Sequence, residues 1–165
     1  MRKDLTEIVL VVDKSGSMAP YTKDTIGGIN NFISEQKKVP GEANVTLYLF
    51  DTQYRKAFSK NLREVVDLTD GDYFASGSTA LIDAMCRAID ETGVKLAKMN
   101  EKDRPSKVIF VTLTDGEENA SCEFTNEKLK EKIEHQEGKY AWNFVFLSAD
   151  PKSFLDAKSW GITHT

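Results

Sequence analysis

The chain has 165 residues, 26 acidic against 22 basic side chains, and a net charge of −4. That length suits one domain, residues 1–165, large enough to bury a core without staples. The acidic balance argues against a nucleic-acid surface or an anionic membrane surface, both of which favour basic stripes. Two cysteines, Cys86 and Cys122, make no disulfide framework and no metal-ligand spacing, and read as reduced thiols. The apolar run after Met1 is too short and too soon interrupted for a signal peptide. No stretch reaches the length of a transmembrane helix. Together these features point to a cytoplasmic protein.

In chain order, the first apolar run is "EIVLVVD" (7–13), followed by "KSGSM". Residues 22–37 place Ile26, Ile29, Phe32 and Ile33 at helical spacing. A second apolar run is "ANVTLYLFD" (43–51). After it, "YRKAFSKNLREVVDL" (54–68) has two short runs around "SKN" and reads as a hairpin at a sheet edge. Its Arg55, Lys56 and Lys60 suit an edge that must not pair with other chains. Residues 80–98 are helical, with Leu81, Met85, Ile89 and Leu96 on one side and Cys86 packed in the core. Then come the run "SKVIFVTLTD" (106–115), a thin helix over 125–136 carrying Leu129 and Ile133, and the run "AWNFVFLSAD" (141–150).

The four runs are almost continuously apolar, as strands covered on both faces are. The element order βα(ββ)αβαβα predicts an α/β fold, doubly wound, with a mostly parallel sheet, helices on both faces and one antiparallel edge hairpin. In such sheets, ligands bind outside the carboxyl ends of the strands. Asp13 and Asp115 each close a buried strand, so both belong to that rim.

The strand exit "DKSGS" sets Asp13, Ser15 and Ser17 at alternate positions, which in an extended exit project to one side. Gly16 lets the backbone turn between the serines without a Cβ penalty. One carboxylate and two hydroxyls are hard oxygen donors, suited to Mg²⁺, Mn²⁺ or Ca²⁺ and poorly suited to zinc or copper. Three donors are too few for an octahedral ion. "FASGSTAL" (74–81) offers Thr79 directly before a helix, and "TDGEEN" (114–119) offers Asp115. Taken alone, "DKSGS" also reads as a capped strand exit and Thr79 as a helix N-cap.

These three stretches in this order resemble the von Willebrand factor A domain, across essentially the whole chain. In that family the three loops form the metal-ion-dependent adhesion site, with the pattern Asp-x-Ser-x-Ser, a Thr and an Asp. The resemblance implies metal-site roles for Asp13, Ser15, Ser17, Thr79 and Asp115. It implies that the serines and Thr79 bind the ion directly or through one water, while the two aspartates hold waters and the serines. The remaining position is implied to take an Asp or Glu carboxylate from a protein partner. The implied function is a non-enzymatic, Mg²⁺-dependent (or Mn²⁺- or Ca²⁺-dependent) adaptor or assembly factor, monomeric as an isolated domain. With no leader or disulfide framework seen, the chain is expected to resemble the intracellular and bacterial or phage branches of the family more than its extracellular adhesion members. One departure is that "WGITHT" (160–165) is at most the start of the family's last strand, with its C-terminal helix missing.

Other polar residues have plainer readings. Asp51, Asp83 and Asp150 are expected in structural turns, since the family pattern does not use them. Glu117 and Glu118 belong to a solvated loop flanking Asp115. Tyr73 and Phe74 either form an exposed apolar rim or pack over the helix tops. His135 is expected to be exposed, and His164 lies near the end of the chain. The alternative function is a metal-assisted phosphatase or hydrolase using Asp13 as nucleophile. It lacks the second aspartate that phosphatases of this loop type carry two residues later, where Ser15 stands. No GxSxG, P-loop or HExxH motif appears either.

Overall fold

A computed structural model describes residues 2–69, 71, 73, 75, 77–114, 121 and 123–147. Its elements in chain order are β1 (Arg2–Asp13), α1 (Thr22–Lys37), β2 (Glu42–Phe50), β3 (Tyr54–Asn61), α2 (Leu81–Ala97), β4 (Pro105–Leu113), α3 (Asn126–Tyr140) and β5 (Asn143–Leu147). The strands form one sheet in the order β3-β2-β1-β4-β5. All neighbours are parallel except β2 and β3, which run antiparallel. The expected doubly wound α/β architecture is therefore present.

Alternation along β1 sends its side chains to two cores. Ile8, Leu10 and Val12 join Ile26, Ile29 and Ile33 of α1 on one face. Val9 and Val11 meet α2 and α3 on the other, with Leu81, Met85, Ile89, Leu129 and Ile133. Because both faces are covered, every residue from Leu5 to Asp13 except Thr6 is buried, which explains the near-continuous apolar run. The Cys86 thiol is fully buried in the second core, and burial pushes its pKa up to about 12. It is a packing residue, as its helical spacing predicts. Cys122, Phe74, Glu117, Glu118, Asp150, His164 and the segment "WGITHT" lie outside the described residues.

The edge differs from the expectation of a hairpin within 54–68. The hairpin is β2 with β3, and residues 54–61 form one continuous strand. The turn comes earlier because the Asp51 carboxylate accepts from the Gln53 N–H at 2.7 Å, reversing the chain directly after β2. "SKN" stays in the ladder, where Ser59 pairs with Thr46 and their hydroxyls lie 2.8 Å apart. The second short run instead forms a 3-10 turn at Leu62–Glu64 and buries Leu62 and Val65 against the α1 side. The register slips between Leu47 and Tyr48, a bulge of the kind that protects sheet edges.

One core position breaks the apolar rule. Thr112 is fully buried, and its hydroxyl has no hydrogen-bond partner among the described residues. A buried hydroxyl without a partner costs about 1–3 kcal/mol. Thr112→Val keeps the shape and removes that penalty, so it is expected to raise stability by about 1 kcal/mol in urea unfolding. A loss of stability would mean that the hydroxyl is satisfied by ordered water.

Candidate metal centre

The site is built at the carboxyl ends of the two central strands. β1 ends at Asp13, whose side chain is wholly buried. Its Oδ1 accepts from the Ser15 backbone N–H at 2.7 Å, and its Oδ2 accepts from the Thr114 hydroxyl at 2.7 Å. Its backbone carbonyl accepts from the Tyr73 hydroxyl. A carboxylate buried this deeply is held by donors on both oxygens, as burial of a charge requires.

Ser15 is 1% exposed and lies in extended backbone. The chain then turns at once, with the Met18 N–H donating to the Ser15 carbonyl at 2.9 Å and a 3-10 helix over Gly16–Tyr21. The strand-like exit expected through Ser17 therefore ends at Ser15, because Ser17 sits within that 3-10 turn. Alternate strand geometry does not explain the DxSxS spacing; a tight turn after Ser15 does. Gly16 has a different reason as well. Its N–H donates to the Gly77 carbonyl at 2.8 Å, and a Cβ there would stand 3.4 Å from that oxygen.

That bond joins the first loop to the second. Gly77 has a positive φ of 83°, and an added Cβ would lie 3.2 Å from Asp51 Oδ2. Asp51 also accepts at its carbonyl from the Ala80 N–H at 2.9 Å and pairs with Lys14 at 3.5 Å. Asp51 is thus the structural turn residue expected, and it links β2 to both loops. Thr79, between Gly77 and Ala80, is 1% exposed. It does not cap α2, whose N-cap is Ala80 without a side-chain bond.

The third loop follows β4. Thr114 is buried and donates to Asp13, while its N–H bonds the Leu147 carbonyl at 3.1 Å. Asp115 lies outside the described residues. The far side of this loop is anchored on α2. Asp83 accepts from the Glu123 N–H at 3.1 Å and the Phe124 N–H at 2.9 Å, and its own N–H donates to Ser121 Oγ at 3.0 Å. Asp83 was expected in a structural turn; it lies instead in the first turn of α2, from which its carboxylate holds a segment some way along the chain.

Of the five predicted site residues, the structure brings Asp13, Ser15 and Thr79 to one rim and places Ser17 in the adjoining turn. Thr114 was not singled out from the sequence, and Tyr73 was read only as an apolar rim or packing residue. Thr114 was within reach, because it stands on the same side of its strand as Asp13 does on β1. Tyr73 forms no exposed rim; it is 2% exposed and packs beneath the loops.

The donor chemistry fits a hard divalent cation. Carboxylate and hydroxyl oxygens dominate, and no group of three or more His, Cys, Asp or Glu occurs among the described residues. Zinc and copper sites favour imidazole and thiolate, which are absent from the described part of this rim.

A family profile for the von Willebrand factor type A domain matches residues 7–139. The chain belongs to that family. Solved structures agree with an A-domain fold at low sequence identity. The PilB minor pilin from Streptococcus sanguinis superposes with a TM-score of 0.66 at 11% identity, over 99% of this chain and 57% of that one. The ArnB paralog VWA2 from Sulfolobus acidocaldarius gives 0.58 at 16% identity, over 99% and 42%. The conserved hypothetical protein BatB from Bacteroides thetaiotaomicron gives 0.52 at 15%, over 87% and 66%. This A domain spans little more than half of the pilin chain. No curated protein matches it. No helix among the described residues is long and apolar enough to cross a membrane.

Proposed function

We propose that this A domain is a protein-binding module that uses a divalent cation, Mg²⁺ or a similar hard ion, to engage an acidic side chain of a partner. The cation would be held by Ser15, Ser17 and Thr79, with Asp13 and Asp115 positioning waters and hydroxyls around it. The observation that carries this reading is the anchoring of Asp13. Its two oxygens hold the Ser15 backbone and Thr114, which fixes the first and third loops around one point. A metal bound mainly by neutral hydroxyls keeps much of its positive charge, so an incoming Asp or Glu is attracted strongly.

An enzymatic role through Asp13 fits less well. A nucleophile must reach its substrate, whereas this carboxylate is buried and accepts at both oxygens. Cysteines without a framework favour a reducing compartment such as the cytoplasm for this module.

Isothermal titration with MgCl₂ and MnCl₂ is expected to show one site per chain, lost in Ser15→Ala with Ser17→Ala. A pull-down from the native source, with Mg²⁺ and again with EDTA, should then retain partners only in the first. No divalent binding at millimolar concentration would sink the reading.

A further inference from the structure

At the end of the sheet opposite the metal centre, α2, α3 and the start of β4 border a cleft of about 570 Å³. Its size falls within the range of small-molecule sites. Ile89, Val108 and Trp142 line it and are each at most 5% exposed. Val94 and Tyr140 flank it while remaining 54% and 48% exposed. Gly93, in the interior of α2, helps to keep it open. A Cβ at that position would meet only Gln136 Nε2, at 3.8 Å. Glycine weakens a helix interior relative to alanine, so the space it leaves comes at the expense of the helix.

The charges are unbalanced. Asp90 is engaged by Lys132 at 2.7 Å. Arg104 is pinned by Nε to the Met99 carbonyl at 3.0 Å and by Nη2 to the Ala97 carbonyl at 3.1 Å. It forms no ion pair with any described residue, and its Nη1 donates to none. The cleft thus offers an apolar body, an oriented guanidinium with donors to spare, and an indole in its lining. A single unneutralised cation suits a monoanion and not a polyanion such as nucleic acid.

We propose that this cleft binds a small, free organic monoanion with an apolar, ring-bearing body, its acid group on Arg104 Nη1 and its ring between the exposed Val94 and Tyr140, over the rim of Trp142. This site is separate from the metal centre and does not depend on it.

The chain has two tryptophans, so Trp160→Phe leaves Trp142 as the only indole signal in an ¹⁵N-labelled sample. Titration with 4-phenylbutyrate is expected to shift the Trp142 indole resonance saturably. The neutral amide, 4-phenylbutanamide, should bind at least tenfold more weakly. Arg104→Gln should bring the acid down to the affinity of the amide. Gly93→Leu fills the cleft with a better helix former, so it should abolish both shifts while holding or raising the melting temperature. No saturable shift, as when another segment of the chain fills the cleft, would overturn the proposal. So would equal affinity for acid and amide, or binding that survives in folded Gly93→Leu.

Discussion

Asp13→Ala is expected to abolish the rise in melting temperature on adding Mg²⁺ or Mn²⁺. It should also lower unfolding free energy by about 2–4 kcal/mol in metal-free buffer, because two buried donors lose their acceptor. Those donors are the Ser15 N–H and the Thr114 hydroxyl. Asp13→Asn separates the two effects. The amide oxygen can still accept from Ser15, and the Thr114 hydroxyl can rotate to accept from the amide nitrogen. Its stability should therefore stay within about 1 kcal/mol of the parent, while the metal response disappears with the charge. Urea unfolding and thermal melts, each with and without millimolar Mg²⁺, read both quantities. A full Mg²⁺ response in Asp13→Asn would remove Asp13 from the metal site.

The second large effect is expected at Asp83, a residue that need not touch the ion. Asp83→Ala strips the acceptor from the backbone N–H groups of Glu123 and Phe124, and about 2–3 kcal/mol of stability should be lost. Phe124 packs on the α2–α3 core and lies under Lys132 at 5.4 Å, so its release loosens the junction of the third loop with α3. Hydrogen exchange locates the change. The Glu123 and Phe124 amides should exchange faster in Asp83→Ala, and near parental rates in Asp83→Asn, which keeps an acceptor oxygen. Parental rates in Asp83→Ala would show that the carboxylate does not hold this segment. Metal affinity is expected to fall less than in Asp13→Asn, because Asp83 acts only through the loop it anchors.

The contrast between these two aspartates shows what could be read from the sequence. Both stand near small residues, and neither looks more functional than the other by local composition. The order of the loops distinguishes them: Asp13 closes the strand that lies at the centre of the sheet, whereas Asp83 sits in the first turn of a helix. Strand runs, helix faces and the parallel order were legible because burial on both faces leaves little room for polar residues. The edge was misread because "SKN" looks like a turn, although the turn had already been made by Asp51. That decision rests on a side chain bonding its own backbone two residues on, which depends on neighbours outside any short window. The DxSxS spacing was read through strand alternation, a geometry that fails at Ser17. The local turn after Ser15, not strand alternation, gathers that loop. The roles of Gly77 and Tyr73 were hidden for a related reason: they are contacts with Asp51 and Asp13, far away in sequence.

The position of β1 has a mechanical consequence. It is the longest strand, it is central, and it is paired in parallel with β2 on one side and β4 on the other. Its last residue, Asp13, carries the first loop. Under the proposed function, tension from a partner held at that loop, resisted at the start of the strand, would run along the axis of β1. Two rows of ladder hydrogen bonds then share the load in shear, instead of opening one at a time as they would at a pulled edge. The first loop is thus tethered to the part of the sheet least able to peel away.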